Sequence, residues 1–120
     1  MARDVVAITP LVLNDSVAVP AGTTISPTNG AVITPAGKGN LVIHINNTTV
    51  SAKIVTISAG DNPPAFRGGL GDLAESIAAS TEVLFVLETA RFMQNDGTIL
   101  VDFAASMTGS IKVYRTPGGF

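Results

Sequence analysis

Leu41-Val42-Ile43-His44-Ile45-Asn46 alternates at period two, with Leu41, Ile43 and Ile45 on one face and Val42, His44 and Asn46 on the other. This is the pattern of a strand with one side in a core. The polar turn Asn46 to Ser51 leads on to Ala52–Ala59, where Ile54-Val55-Thr56-Ile57 reads as the antiparallel hairpin partner. Further along, Arg91–Asn95 and Thr98–Phe103 flank Asp96-Gly97, a dipeptide suited to the positive φ angles of a type I′ turn. That predicts a second hairpin, with Ile99, Val101 and Phe103 pointing inward and Leu100 and Asp102 outward.

The same grammar runs through the chain. Val, Ile and Thr make up 36 of the 120 residues, and Gly, Pro or Asn-Asp clusters interrupt them at short intervals. β-Branched side chains fit a pleated surface, so the expectation is many short strands. Short strands are expected at Val17–Val19, Thr23–Ser26 and Ala31–Thr34, and Ser110–Arg115 is expected to close the sheet. Leu73–Ala79 reads as a strand, with a helical turn capped by Asp72 and Glu75 as the alternative. Glu82–Glu88 is apolar through its middle, which fits either a central strand buried on both faces or a strand with one face on a partner. Residues 1–13 form an extended N-terminal arm or edge strand, because Pro10 cannot donate to a ladder, and residues 116–120 form a loose tail. The fold class is all-β: a single-domain antiparallel β-sandwich over 1–120, jelly-roll-like, with an extended N-terminal arm.

Composition narrows the function. The net charge is −2 and the seven cations are scattered, so there is no basic stripe of the kind that displaces counterions from nucleic acid. The longest uninterrupted apolar run, Val83–Leu87, is too short to span a bilayer, and no secretory pattern opens the chain. Cysteine is absent, which removes disulfides and thiolate chemistry together. His44 is the one imidazole, no Gly-x-Ser-x-Gly is present, and no Asp-rich loop has calcium-ligand spacing, so neither catalysis nor a metal or cofactor site is expected. Nine carboxylates could supply a glycosidase pair, but a chain without Trp and with one Tyr has little to stack sugars on. Gly69-Leu70-Gly71-Asp72-Leu73-Ala74 fits a dinucleotide fingerprint in letters only, since that motif requires a helix after it. Charged residues are 13% of the chain and mean hydropathy is +0.43. The apolar surplus belongs either to an alanine-rich core or to a surface covered by another protein.

Two segments suit contact. Asp61–Gly71 is stiffened by Pro63-Pro64 and carries Phe66 and Arg67, and the arm presents Val5, Val6, Ile8 and Pro10 for strand addition. Removing residues 2–10 is expected to leave the domain folded.

Three stretches resemble small proteins encoded among the head genes of tailed bacteriophages and prophages. These are Met1-Ala2-Arg3-Asp4-Val5-Val6 with Pro10; Ile57 to Arg67 followed by Gly71-Asp72-Leu73; and Glu88-Thr89-Ala90-Arg91-Phe92 ahead of Asp96-Gly97. The family so resembled is that of head decoration, or capsid cement, proteins. The resemblance implies a sandwich or jelly-roll subunit, often a homotrimer, bound outside the capsid across neighbouring major capsid subunits. It implies a virion location after synthesis in the bacterial host cytoplasm, with no cofactor, nucleic acid or membrane partner. The expected contact residues are Val5, Val6, Ile8, Pro10, Asn62, Pro63, Pro64, Phe66 and Arg67. A tail or head–tail component is the alternative within the virion, and a carbohydrate-binding module the alternative outside it.

Overall fold

The computed structural model describes residues 3–34, 40–60 and 71–116. In chain order these form β1 (Asp4–Val6), β2 (Ile8–Pro10), β3 (Thr23–Thr24), β4 (Ala31–Ile33), β5 (Asn40–Asn47), β6 (Lys53–Ile57), β7 (Leu73–Ile77), β8 (Thr81–Glu88), the single helical turn α1 (Thr89–Phe92), β9 (Ile99–Phe103) and β10 (Gly109–Arg115). One sheet has the order β1-β4-β9-β6-β7, and the other β2-β10-β5-β8 with β3 also paired to β10. The pairs β1–β4 and β2–β10 are parallel and the remaining pairs antiparallel. The protein is an all-β sandwich.

Alternation explains why two sheets form and why they pack. Leu41, Ile43 and Ile45 of β5 and Ile111 and Val113 of β10 face Ile33, Ile99, Val101, Val55 and Ile57 of the other sheet, and all join one buried cluster. Each fully buried aliphatic side chain contributes about 1.5–3 kcal/mol, so a one-residue slip of β5 would expose three of them and bury His44. Ile99, Val101 and Phe103 point inward and Asp102 outward, as the sequence predicts.

Both predicted hairpins are corrected. β5 and β6 do not pair: β5 lies between β10 and β8, and β6 lies between β7 and β9 in the opposite sheet. The turn after β5 crosses from one sheet to the other around Asn47, which is fully buried. Its amide nitrogen donates to the carbonyls of Ile77, Ala78 and Ser51 at 3.1, 3.2 and 3.3 Å, and its Oδ1 accepts from Thr49 N–H at 3.0 Å. A buried side chain that ties the end of β5 to the following turn and to the end of β7 outweighs the local preference for a hairpin. In the second case residues 89–92 are helical, so β9 has no strand before it to fold back on. Asp96-Gly97 does turn the chain, but only Gly97 has positive φ, at 83°, so the turn is not type I′. Asp96 Oδ1 instead accepts from the Thr98 hydroxyl at 2.6 Å and the Thr98 N–H at 3.2 Å, and these bonds hold its carboxyl below the ordinary aspartate value.

Other expectations resolve individually. Residues 17–19 are not a strand, and 73–77 are a strand rather than a helix, which also removes the dinucleotide reading of Gly69–Ala74. β8 is not central: among the described residues β5 is its one sheet neighbour.

Candidate partner-binding surface

The N-terminal arm forms one lateral edge of the sandwich. β1 joins the first sheet and β2 the second, with Ala7 between them, so seven residues tie the two layers together. Arg3 anchors the start. Its Nη1 donates to Asp102 Oδ1 at 2.7 Å and to the Val101 carbonyl at 3.0 Å. Gly30 makes room for this clamp: it sits at φ 70°, and a Cβ there would lie 2.5 Å from Arg3 Nη1 and 3.1 Å from the Val101 carbonyl. Asp4 N–H donates to the Gly30 carbonyl at 3.1 Å, and Leu11 N–H to that of Arg115 at 2.9 Å, so both ends of the arm are fastened.

The four arm residues expected at a contact therefore divide. Val6 is 2% exposed and belongs to the core, and Ile8 packs against it. Val5 is 63% exposed and Pro10 is exposed at the end of β2. Removal of residues 2–10 would take Val6 and two paired strands from the fold, which corrects the expectation that the domain survives it. Val5 is opposite Val32, which is opposite Leu100, giving an apolar row across the outside of the first sheet.

Asn62, Pro63, Pro64, Phe66 and Arg67 lie outside the described residues. The described residues flanking them are held by side-chain and backbone hydrogen bonds. Ala59 N–H donates to Asp72 Oδ1 at 2.7 Å, Gln94 Nε2 to the Ala59 carbonyl at 2.9 Å, and Gly60 N–H to the Arg91 carbonyl at 2.8 Å. Arg91 stacks on Phe92 with its guanidinium carbon 4.7 Å from the ring centre and donates to the Gly71 carbonyl at 3.3 Å.

The opposite edge is β8, for which the sequence left open a central strand or a strand with one face on a partner. Leu84 and Val86 of β8 are 65% and 63% exposed on the outer face of the second sheet. Val86 is paired with Val42, which is paired with Tyr114. Leu84 is paired with His44, and His44 with Lys112. His44 Nε2 lies 2.9 Å from Glu82 Oε1, and its side chain is 17% exposed, so the one imidazole is packed down beside a carboxylate rather than presented to a substrate. The apolar run of β8 was the available signal; that it lies at an edge depends on pairings remote in sequence.

A shallow cavity of about 280 Å³ lies along β10 beside the arm, walled by Ala7, Thr9, Pro20, Gly22, Val113 and Lys112. It is mainly apolar, below the usual size of ligand pockets, and one ammonium gives it little means of orienting a small molecule. Among the described residues no cluster of three potential metal ligands occurs, and no helix is long and apolar enough to cross a membrane. Comparison with family models, curated proteins and solved structures returns no match. The exposed apolar side chains of the described residues include Val5 on the outer face of the first sheet and Leu84 and Val86 on that of the second.

Proposed function

We propose that this chain is a structural protein of a phage particle, acting by binding rather than catalysis. In this reading it sits on the outside of the assembled capsid and stabilises contacts between major capsid subunits. The observation that carries the reading is the exposure of Val5, Leu84 and Val86 on opposite edges of a small sandwich, since large apolar side chains grouped on a surface favour protein partners. The resemblance of its opening, mid-chain and Glu88–Phe92 stretches to head decoration proteins supplies the identity of the partner, the major capsid protein. It also favours self-association as a homotrimer. The order β3-β10-β5-β8 over β4-β9-β6-β7 is our ground for reading the sandwich as a jelly roll.

The role has a simple energetic basis. A protein that binds the assembled lattice and not free subunits stabilises the lattice by mass action, and many weak sites repeated over one particle act together. Of the four arm residues expected at a contact, Val5 and Pro10 have surface to offer, and the Pro63–Arg67 segment is the second element we assign to the contact. Quantitative mass spectrometry of density-purified particles tests this. A copy number comparable with the major capsid protein is expected; a few copies per particle would favour a tail or head–tail component, and absence would overturn the reading.

A further inference from the structure

We infer that β8 is a self-association edge: two copies of the chain pair their β8 strands antiparallel about a two-fold axis, with Leu84 opposite Leu84 of the second copy. The inference shares the exposed residues of β8 with the proposed function but does not require a capsid partner. It begins from an anomaly, because soluble proteins blunt long sheet edges with charge, proline, bulges or a covering segment. β8 spans eight residues and has no Pro, Gly or Lys, and its residues 83–87 are all apolar. Among the described residues its one sheet partner is β5, and no described strand pairs with its other side.

The occupant follows from symmetry and charge. A two-fold axis perpendicular to the sheet keeps both core faces on one side, so opposed residues must both be even or both be odd. Two such registers use nearly the whole strand. Centring on Phe85 sets Glu82 opposite Glu88 of the second copy, and does so twice, which is unfavourable for directly opposed like charges. Centring on Leu84 sets Glu82 opposite Val86, Val83 opposite Phe85 and Thr81 opposite Leu87, with no carboxylates opposed. Glu82 is also held back over β5 by His44 at 2.9 Å, which leaves the strip beside the axis apolar. On the inner side, Val83 and Phe85 are only partly buried in the monomer. Pairing them across the axis covers that remainder with an aromatic and β-branched contact, a favourable cross-strand combination. A bare strand pair falls below the roughly 1,200 Å² of a stable interface, so the dimer is concentration-dependent. A two-fold contact here is compatible with a three-fold contact elsewhere on the subunit.

Single-cysteine variants read the register directly, because the native chain has no cysteine. Under mild oxidation Leu84→Cys is expected to give a covalent dimer in high yield. Val86→Cys and Val5→Cys, similarly exposed in the monomer, are expected to give several-fold less. In sedimentation equilibrium the mass of the native protein should rise with concentration, and Leu84→Lys, which opposes two ammonium groups at the axis, should abolish the β8-dependent step while leaving the unfolding midpoint of the dilute, monomeric protein unchanged. Equal cross-linking of all three variants, preferential cross-linking through Val5 or Val86, or an association state that Leu84→Lys does not alter would overturn the inference. Particle stoichiometry is read separately, so the pairing and the proposed function can fail independently.

Discussion

On one side the sandwich ends in β1 and β2, three residues each, with Pro10 closing the second; on the other it ends in β7 and β8, five and eight residues long. The short edge is clamped by Arg3, fastened at Leu11, and contributes Val6 to the core. In β7, exposed Ala74, Glu75 and Ser76 leave little for an apolar partner. β8 alone offers a long apolar strand whose outer row stays in solvent. The contrast separates two uses of an edge: one is consumed in holding the two sheets together, and the other remains available to another chain.

The largest expected effect tests the closed edge. Val6→Asp puts a carboxylate into the core without a partner and should cost about 4 kcal/mol or more. The matched change at the open edge, Val86→Asp, should stay within about 0.5 kcal/mol, as surface substitutions do. Urea unfolding of both variants makes the comparison, and similar losses would erase the distinction.

Next is Asn47→Ala, which deprives the carbonyls of Ile77, Ala78 and Ser51 of their donor at the crossover leading to the β8 side. A loss of about 1–3 kcal/mol is expected in the same assay. An unchanged midpoint would mean that the crossover is held by packing alone. Gly30→Ala forces an L-residue into positive φ against the Arg3 clamp and should cost about 1–2 kcal/mol. Its signature is local: amide exchange should accelerate in β1 and remain as before in β8. Acceleration spread evenly over both edges would contradict separate anchoring.

The smallest effect belongs to Asp96, in the turn before β9. Its depressed pKa means that the Thr98 contacts stabilise the fold above the ordinary aspartate pKa, and that this contribution disappears as pH falls through the lower native value. Asp96→Ala should therefore unfold at a slightly lower temperature than the native chain near neutrality and at the same temperature in strong acid. A difference that persists in acid would assign the effect to something other than the carboxylate.

Much of this was legible in the sequence, because strand faces are a local property. The period-two pattern of Leu41–Asn46 places Ile43 inward and His44 outward whatever their neighbours, and the same holds for Ile99–Phe103. Pairing is not local. Nothing between Asn46 and Ser51 announces that Asn47 will be buried against carbonyls thirty residues away, so a crossing between sheets reads as a hairpin. Arg91–Asn95 reads as a strand ahead of Asp96-Gly97, yet Arg91 and Phe92 belong to a helical turn, Thr89–Phe92, between layers. For the contact surface, sequence marked Val5 and Pro10 through the proline at an edge. It could not separate Val6 from them, since burial of Val6 depends on parallel pairing of β1 with β4. Leu84 and Val86 were visible only as an apolar run, because edge and centre differ by one neighbouring strand.

Residue-resolved amide exchange of the native protein at low and high concentration tests the division of the two edges most directly. The account predicts that the outward-facing amides within residues 81–87 become protected as concentration rises, while β1 and β2 exchange unchanged. Protection gained in the arm, with none in β8, would contradict it.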